Sequence, residues 1–263
     1  MSDNIIYVLV AGIIQGLTEF LPISSSGHLL IVRKVFGIES NISGSFIEVF
    51  LHGGTLLSIL FFWKNELLED YKRISKGNTT ILFNVIIATI PASFVGLFFK
   101  ENIEHYFFNI NNMSYLCLSY LFLAVLLYIT KNYKSNTKSI IYRYALIIGL
   151  AQAFAIIPGI SRAGVTIACG LLLGVHHKDA TKFSFLLAIP ILFFSFVSSV
   201  FENHTLLFGS SMFGPLIVGF IVSFIVGYLA IGFLVHLILK KKLWYFSIYC
   251  LIISLILGYY YVI

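Results

Sequence analysis

The sequence predicts an all-α, polytopic membrane protein made of two inverted repeats, each with one re-entrant helix pair and three transmembrane helices. Three observations carry this fold class. The first is composition: 59% of the 263 residues are hydrophobic and only 11% are charged, where a soluble domain carries about 25% charged residues. So few charges cannot cover a water-facing surface, so most of the solvent must be lipid. In lipid, backbone groups are satisfied internally, by helices or by a closed barrel. A barrel would alternate apolar and polar residues, whereas the apolar runs here are long and unbroken. The second observation is that two apolar stretches are broken by polar, proline-containing turns. The third is the alternating placement of Lys and Arg between the remaining runs.

Taken in order, the first element is the apolar stretch 5–36, broken by LPISSSGH at 21–28. Its start lacks a positive flank and an obvious small-residue cleavage site, so it is expected to be retained structure and not a signal peptide. Each half is short against the roughly 20 residues that cross a bilayer core, so the stretch reads as two half-helices joined inside the membrane. Spans are expected at 46–63, 81–99 and 113–130. A second broken stretch, 144–174, is interrupted by PGISRAG at 158–164. Spans at 183–201, 212–239 and 243–263 follow. The fifth span is overlong and carries Pro215, so a tilt or kink is expected there.

Lys64, Lys72, Arg73 and Lys76 follow the first span, Lys131, Lys134, Lys138 and Arg143 the third, and Lys240, Lys241 and Lys242 the fifth. The linkers at 100–112 and 202–211 carry only Lys100 between them. Cytoplasmic loops collect Lys and Arg, which places Ser75 and Lys138 inside and Asn109, Asn203 and the C-terminus outside. The first broken stretch then dips in from outside and the second from the cytoplasm. The net charge of +6 has this topological explanation, and no basic, aromatic-interleaved stripe suggests nucleic acid.

The whole chain, 1–263, reads as one integral membrane domain, with repeat one at about 1–135 and repeat two at about 136–263. Gly12-Ile-Ile-Gln15 matches Gly149-Leu-Ala-Gln152, and each precedes a proline-centred break. Three crossings and a re-entrant pair per half turn the second half upside down. Broken helices meeting near the midplane of such a repeat form transporter binding sites. Cys117, Cys169 and Cys250 lie in apolar runs with no CxxC pair and read as small hydrophobes.

The polar residues concentrate at the two breaks. Gln15 and Glu19 lie four apart, on one helical face, and a carboxylate within an apolar segment is a candidate functional group. Its bland alternative is a Glu neutralised by a neighbouring His or Arg. Ser24, Ser25, Ser26 and Gly27 follow Pro22. One serine can be a simple N-cap, but a run of hydroxyls and free N–H groups at a helix start also binds anions. His28 sits where a general acid/base could reach a bound group. In the second break, Ser161, Arg162 and Thr166 add two hydroxyls and a planar fork suited to phosphate oxygens. Arg162 reads as the only Arg or Lys well inside either broken stretch. Its bland roles are pairing with Glu19 or reaching the interface. Glu48 and His52, four apart in the first span, are expected to face the same pocket. If the breaks meet, this inventory suits an anionic phosphorylated ligand, with room for a divalent metal.

QGLTEFLPISSSGHL at 15–29 and PGISRAGVT at 158–166 resemble the two signature motifs of the undecaprenyl-diphosphate phosphatases, the bacitracin-resistance proteins. The FSFLLAIP stretch at 183–190, the chain length and the motif spacing extend the resemblance over essentially the whole chain. It implies a multi-pass enzyme of the bacterial inner membrane with its site open to the outer side. The implied reaction removes the terminal phosphate of undecaprenyl diphosphate, recycling the lipid carrier for cell-wall synthesis, with bacitracin resistance as a consequence. It also implies a divalent cation, Mg2+ or Ca2+. The family's acidic motif usually reads Glu-x-x-x-Glu. Its second acid matches Glu19, while Gln15 stands at the first, which removes one charge toward a metal. Ala163 stands where the family has a serine after the arginine, and Ser26 where it often has Thr.

On this reading Glu19 holds the metal with Gln15 assisting, Arg162 clamps the phosphates, Ser25 is the nucleophile and His28 the acid/base. Ser24, Ser26, Gly27, Ser161 and Thr166 bind substrate. Direct attack by a water activated by His28 or the metal stays open. The expected partners are the polyprenyl diphosphate lipid and membrane lipids, with a homodimer as an open assembly and no nucleic acid. Two rivals remain at this level: a transporter or flippase of a polyprenyl phosphate lipid, and a structural membrane subunit with a buried polar network.

Overall fold

The structure is a computed structural model and describes residues 2–37, 42–108, 113–133, 139–204 and 213–261. Asn109, Lys138, the first residue of the span expected from Met212, and the chain end at 262–263 lie outside these residues. All regular structure among the described residues is helical, as the composition requires.

Helix α1 (Ser2–Phe20) ends two residues before Pro22, whose ring and missing N–H stop a helix from continuing. Ser24 takes a positive φ of 66° and turns the chain back into α2 (Ser25–Val35), whose N-terminus it caps by accepting from the Gly27 N–H at 3.3 Å. Helix α3 (Ile42–Phe62) meets the charged α4 (Lys64–Ser75) at a 73° bend. Then come α5 (Thr80–Phe98), α6 (Lys100–Phe107) and α7 (Ser114–Ile129), the last extended by a 3-10 turn, Thr130–Asn132. Helix α8 (Tyr142–Phe154) stops short of Pro158, and α9 (Arg162–Leu172) starts after it, capped by Ser161, which accepts from the Gly164 N–H at 3.1 Å. Helices α10 (His177–Glu202), α11 (Phe213–Leu239) and α12 (Tyr245–Tyr261) complete the chain. The two breaks therefore use one device: a helix stopped ahead of a proline, then a serine N-cap starting a helix of 11 residues.

Among the described residues, four helices are long and apolar enough to cross a membrane: α5, α7 with its extension, α10 and α11. The expected span 46–63 lies in the 21-residue α3, and at Trp63 the chain turns into α4, where the charges begin. The span expected at 243–263 is the apolar, 17-residue α12 in its described part. Pro215 lies near the start of α11 as described. It falls in the first turn, where its missing N–H has no intrahelical partner to lose. Large side chains such as Phe94, Leu97, Leu229 and Leu255 point outward from the bundle, the expected lipid face.

Helix α1 packs against α11, α8 against α5, α3 against α11 and α10, and α7 against α12. The repeated Gly-x-x-Gln segment explains two of these contacts. A Cβ on Gly12 would come within 2.7 Å of the Gly219 carbonyl of α11, and one on Gly149 would collide with the Ala88 carbonyl of α5. Small residues let membrane helices approach backbone to backbone. Three residues on, Gln15 and Gln152 are both fully buried.

Candidate active site

The two breaks meet. The Gly159 N–H of the second loop donates to Ser24 Oγ of the first at 3.0 Å, and Ser161 Oγ donates to the Leu21 carbonyl at 3.4 Å. Gly159 holds φ at 89°, and a Cβ there would strike Ser119 of α7, so only glycine serves. Contact between the loops brings the N-terminal residues of α2 and α9, Ser25 and Arg162, to the end of α1.

Glu19 is the centre of this junction. Its Oε1 accepts from Arg162 Nη2 at 2.6 Å. Its Oε2 accepts from Ser25 Oγ at 2.7 Å and from Gln15 Nε2 at 3.1 Å, and His52 Nε2 of α3 lies 3.8 Å from the same oxygen. One carboxylate thus joins a hydroxyl, an amide, a guanidinium and an imidazole from α1, α2, α3 and α9. Charge pairing this close, with little water, offsets the cost of burying the acid. The side chains keep 8% (Glu19), 14% (Arg162) and 23% (His52) of their surface exposed, so the cluster is not fully enclosed. Arg162 is held on its other side too. Its Nη1 donates to the Ser184 carbonyl of α10 at 3.2 Å, while Thr166 Oγ1 donates to the Arg162 carbonyl and lies 2.6 Å from Ser184 Oγ.

The expected site residues divide accordingly. Glu19, Gln15, Ser25 and Arg162 come together. Ser24 and Ser161 serve as N-caps and loop ties. Ser26 lies against Ser24 Oγ at 3.3 Å. Gly27 is buried against Tyr120 and Gly159. Thr166 is buried and supports Arg162 from within. The partners of His28 point elsewhere: Nδ1 lies 2.7 Å from the Ser24 carbonyl and 2.9 Å from Tyr120 Oη, and Nε2 is 2.6 Å from Tyr249 Oη. A carbonyl can only accept, so Nδ1 carries the proton and Nε2 accepts from Tyr249.

Of the pair expected to face one pocket, only His52 does so. Glu48 turns to Tyr7, which donates to it at 3.3 Å, and to Arg33 Nε at 3.6 Å. Arg33, at the end of α2, is fully buried, so Arg162 is not the only cation inside the broken stretches. The last turn of a helix favours a cation, and Glu48 supplies its counter-charge from α3. Ser184, Tyr120 and Tyr249 carry no local motif. Ser184 lies inside the FSFLLAIP stretch, the one signal that singled out its surroundings.

Comparison with known proteins agrees in kind across nearly the whole chain. The family model described as "Bacitracin resistance protein BacA" matches residues 8–256. The chain is 37% identical over 257 residues to an undecaprenyl-diphosphatase of Christiangramia forsetii, covering 96% of both sequences. It is 39% identical over 254 residues to an undecaprenyl-diphosphatase of Methanococcus maripaludis (94% of this chain, 96% of the other). It is 35% identical over 268 residues to undecaprenyl-diphosphatase 2 of Bacillus thuringiensis, again 96% of both.

Proposed function

The chain belongs to the bacitracin resistance protein BacA family, and from that membership together with the Glu19 cluster we infer that it is a membrane phosphatase acting on undecaprenyl diphosphate. It releases inorganic phosphate and leaves the monophosphate carrier for cell-wall synthesis. The observation that carries this reading is Ser25 Oγ bonded to Glu19 Oε2 at 2.7 Å with Arg162 on the other oxygen: a nucleophile, a proton acceptor and a phosphate clamp in one contact chain.

As Ser25 Oγ forms a bond to the terminal phosphorus, its proton passes to Glu19. The bond from phosphorus to the bridging oxygen breaks, and its electron pair leaves with the lipid monophosphate. Water then cleaves the phosphoserine, releasing inorganic phosphate and restoring the Ser25 hydroxyl. Arg162 has five N–H donors. Glu19 and Ser184 engage two nitrogens, which leaves donors for phosphoryl oxygens as charge develops on them. The starts of α2 and α9 add positive dipole ends. Water attacking phosphorus directly gives the same products and uses the same residues.

Gln15 Oε1 is a buried acceptor without a hydrogen-bond partner, one turn from the Glu19 carboxylate. The Gln15 amide turns Nε2 to Glu19; flipped, it would present Oε1 beside the carboxylate, an oxygen pair suited to a hard cation such as Mg2+ or Ca2+ whose other ligands are substrate phosphates. Glu19 and Gln15 would hold it, and when bound it would neutralise phosphate charge. The pairing of α1 with α11 and of α8 with α5, and the twin capped breaks, support an inverted repeat. The expected topology opens the site to the outer side of the plasma membrane.

The test is release of inorganic phosphate from undecaprenyl diphosphate by the purified protein. We expect turnover that falls on thorough chelation and returns with added Mg2+ or Ca2+, and loss of turnover in Ser25→Ala. A well-folded wild-type protein that releases no phosphate in any divalent cation would overturn the reading.

A further inference from the structure

Resting on the phosphatase reading, we propose that Arg33, Glu48 and Tyr7 form a clamp that sets α2 against α3, and that Arg33 and Glu48 are thereby positioning residues for Ser25. The three helices tied by this cluster are the ones that supply Glu19, Ser25 and His52 to the site. Tyr7 and Glu19 lie on α1, Arg33 and Ser25 on α2, and Glu48 and His52 on α3. Tyr7 Oη donates to Glu48 Oε1 at 3.3 Å, and Arg33 Nε lies 3.6 Å from the same oxygen. One carboxylate therefore joins all three helices at a second point, apart from the Glu19 junction. Helix packing leaves α2 and α3 weakly related without it, since α2 rests chiefly on α1, and α3 on α11 and α10. Helix α2 has only 11 residues, with Ser25 first and Arg33 about two turns on, so a tilt of its far end is passed to Ser25.

The cluster is a poor way to gain stability, which points to a locating role. Arg33 is fully buried, yet its Nε, Nη1 and Nη2 find no hydrogen-bond partner among the described residues, and buried polar atoms are rarely left so. Tyr7 and Glu48 are buried as well. Charge alone holds the guanidinium, and a buried ion pair adds little net stability over apolar side chains of the same volume. Apolar packing, however, lets a helix slide or tilt at small cost, whereas a buried cation with one counter-charge has one place to go. This separates Arg33 from Arg162, whose planar fork bonds both Glu19 and Ser184. Arg33 uses its charge and not its fork, so lysine can stand in for it.

The experiment compares purified full-length variants in detergent. Arg33→Met leaves the Glu48 carboxylate buried and unpaired, so unfolding temperature and turnover should fall together. Adding Glu48→Gln removes that charge and keeps an acceptor for Tyr7, so the double variant should regain the wild-type unfolding temperature. Its kcat for phosphate release from undecaprenyl diphosphate should stay about tenfold low, since a 1 Å misplacement of a reacting group costs up to about 10²-fold, with KM little changed. Arg33→Lys alone should recover most of the turnover. A stable double variant with wild-type kcat would overturn the proposal, because the pair would then only neutralise itself. A second measurement needs no turnover: spin labels at Val35 of α2 and Phe61 of α3, both exposed, in a cysteine-free background, with the distance read by pulsed electron paramagnetic resonance. Wild type should give a narrow distribution and the double variant a broader or shifted one. An unchanged distribution would overturn the clamp whether or not the wild-type protein releases phosphate, whereas a wild type that releases none, with the distribution broadened as expected, would sink the phosphatase reading and leave the clamp standing.

Discussion

At the scale of single residues, the site depends on how Arg162 is held. Ser184 fixes it twice, by its carbonyl to the guanidinium and by its hydroxyl to Thr166, which in turn bonds the Arg162 carbonyl. Ser184→Ala removes only the hydroxyl link and leaves Thr166 bonded to Arg162. We predict that kcat for phosphate release falls about tenfold, because a 1 Å misplacement of a catalytic group can cost up to about 10²-fold, while KM changes little. A steady-state comparison with wild type checks this, and an unchanged kcat would remove Ser184 from the site. Glu19, Ser25 and Arg162 were legible in the sequence because charges and hydroxyls are costly inside apolar runs. The partners of His28 were not, since Tyr120 and Tyr249 stand 92 and 221 residues away in helices whose sequences read as ordinary lipid-facing spans. Arg33 was hidden for a related reason: it lies near the end of its stretch, where a cation normally reaches water, and only the fold brings Glu48 to it.

At the scale of elements, the breaks were legible because Pro22 and Pro158 must stop their helices and the serines after them are natural caps. The elbow between α3 and α4 was not, since hydropathy alone cannot say whether a helix continues through a boundary or turns along it. Helix contacts make a second prediction. A Cβ at Gly12 would meet the backbone oxygen of Gly219 at 2.7 Å, whereas one at Gly96 of α5 would meet nothing within 4 Å. Backbone cannot step aside as a side chain can, so Gly12→Ala should cost about 1–3 kcal/mol through overpacking. Gly96→Ala should be neutral or stabilising by up to about 1 kcal/mol, since alanine is the better helix former. Thermal unfolding of both variants in detergent reads the difference, and equal midpoints would contradict the close packing of α1 on α11.

At the scale of the whole molecule, topology and function are one statement. The loop from one half brings the acid and the serine, and the loop from the other brings the arginine. From the alternation of basic loops we predict Ser75 inside and Asn203 outside. A single cysteine at 203, in a cysteine-free background, should react with an impermeant maleimide in intact cells, and one at 75 should not; labelling at 75 would break the scheme. The most direct test is phosphate release from undecaprenyl diphosphate by Arg162→Ala. Losing a transition-state donor costs about 10²–10³ in rate, and lysine keeps the charge but not the fork. The account predicts near-complete loss of turnover in Arg162→Ala, little recovery in Arg162→Lys, and detergent-solubilised proteins that remain folded. A folded Arg162→Ala protein with near-normal turnover would contradict it, as would an unstable one whose stability returns when Glu19→Gln is added, since Arg162 would then serve only to neutralise a buried acid.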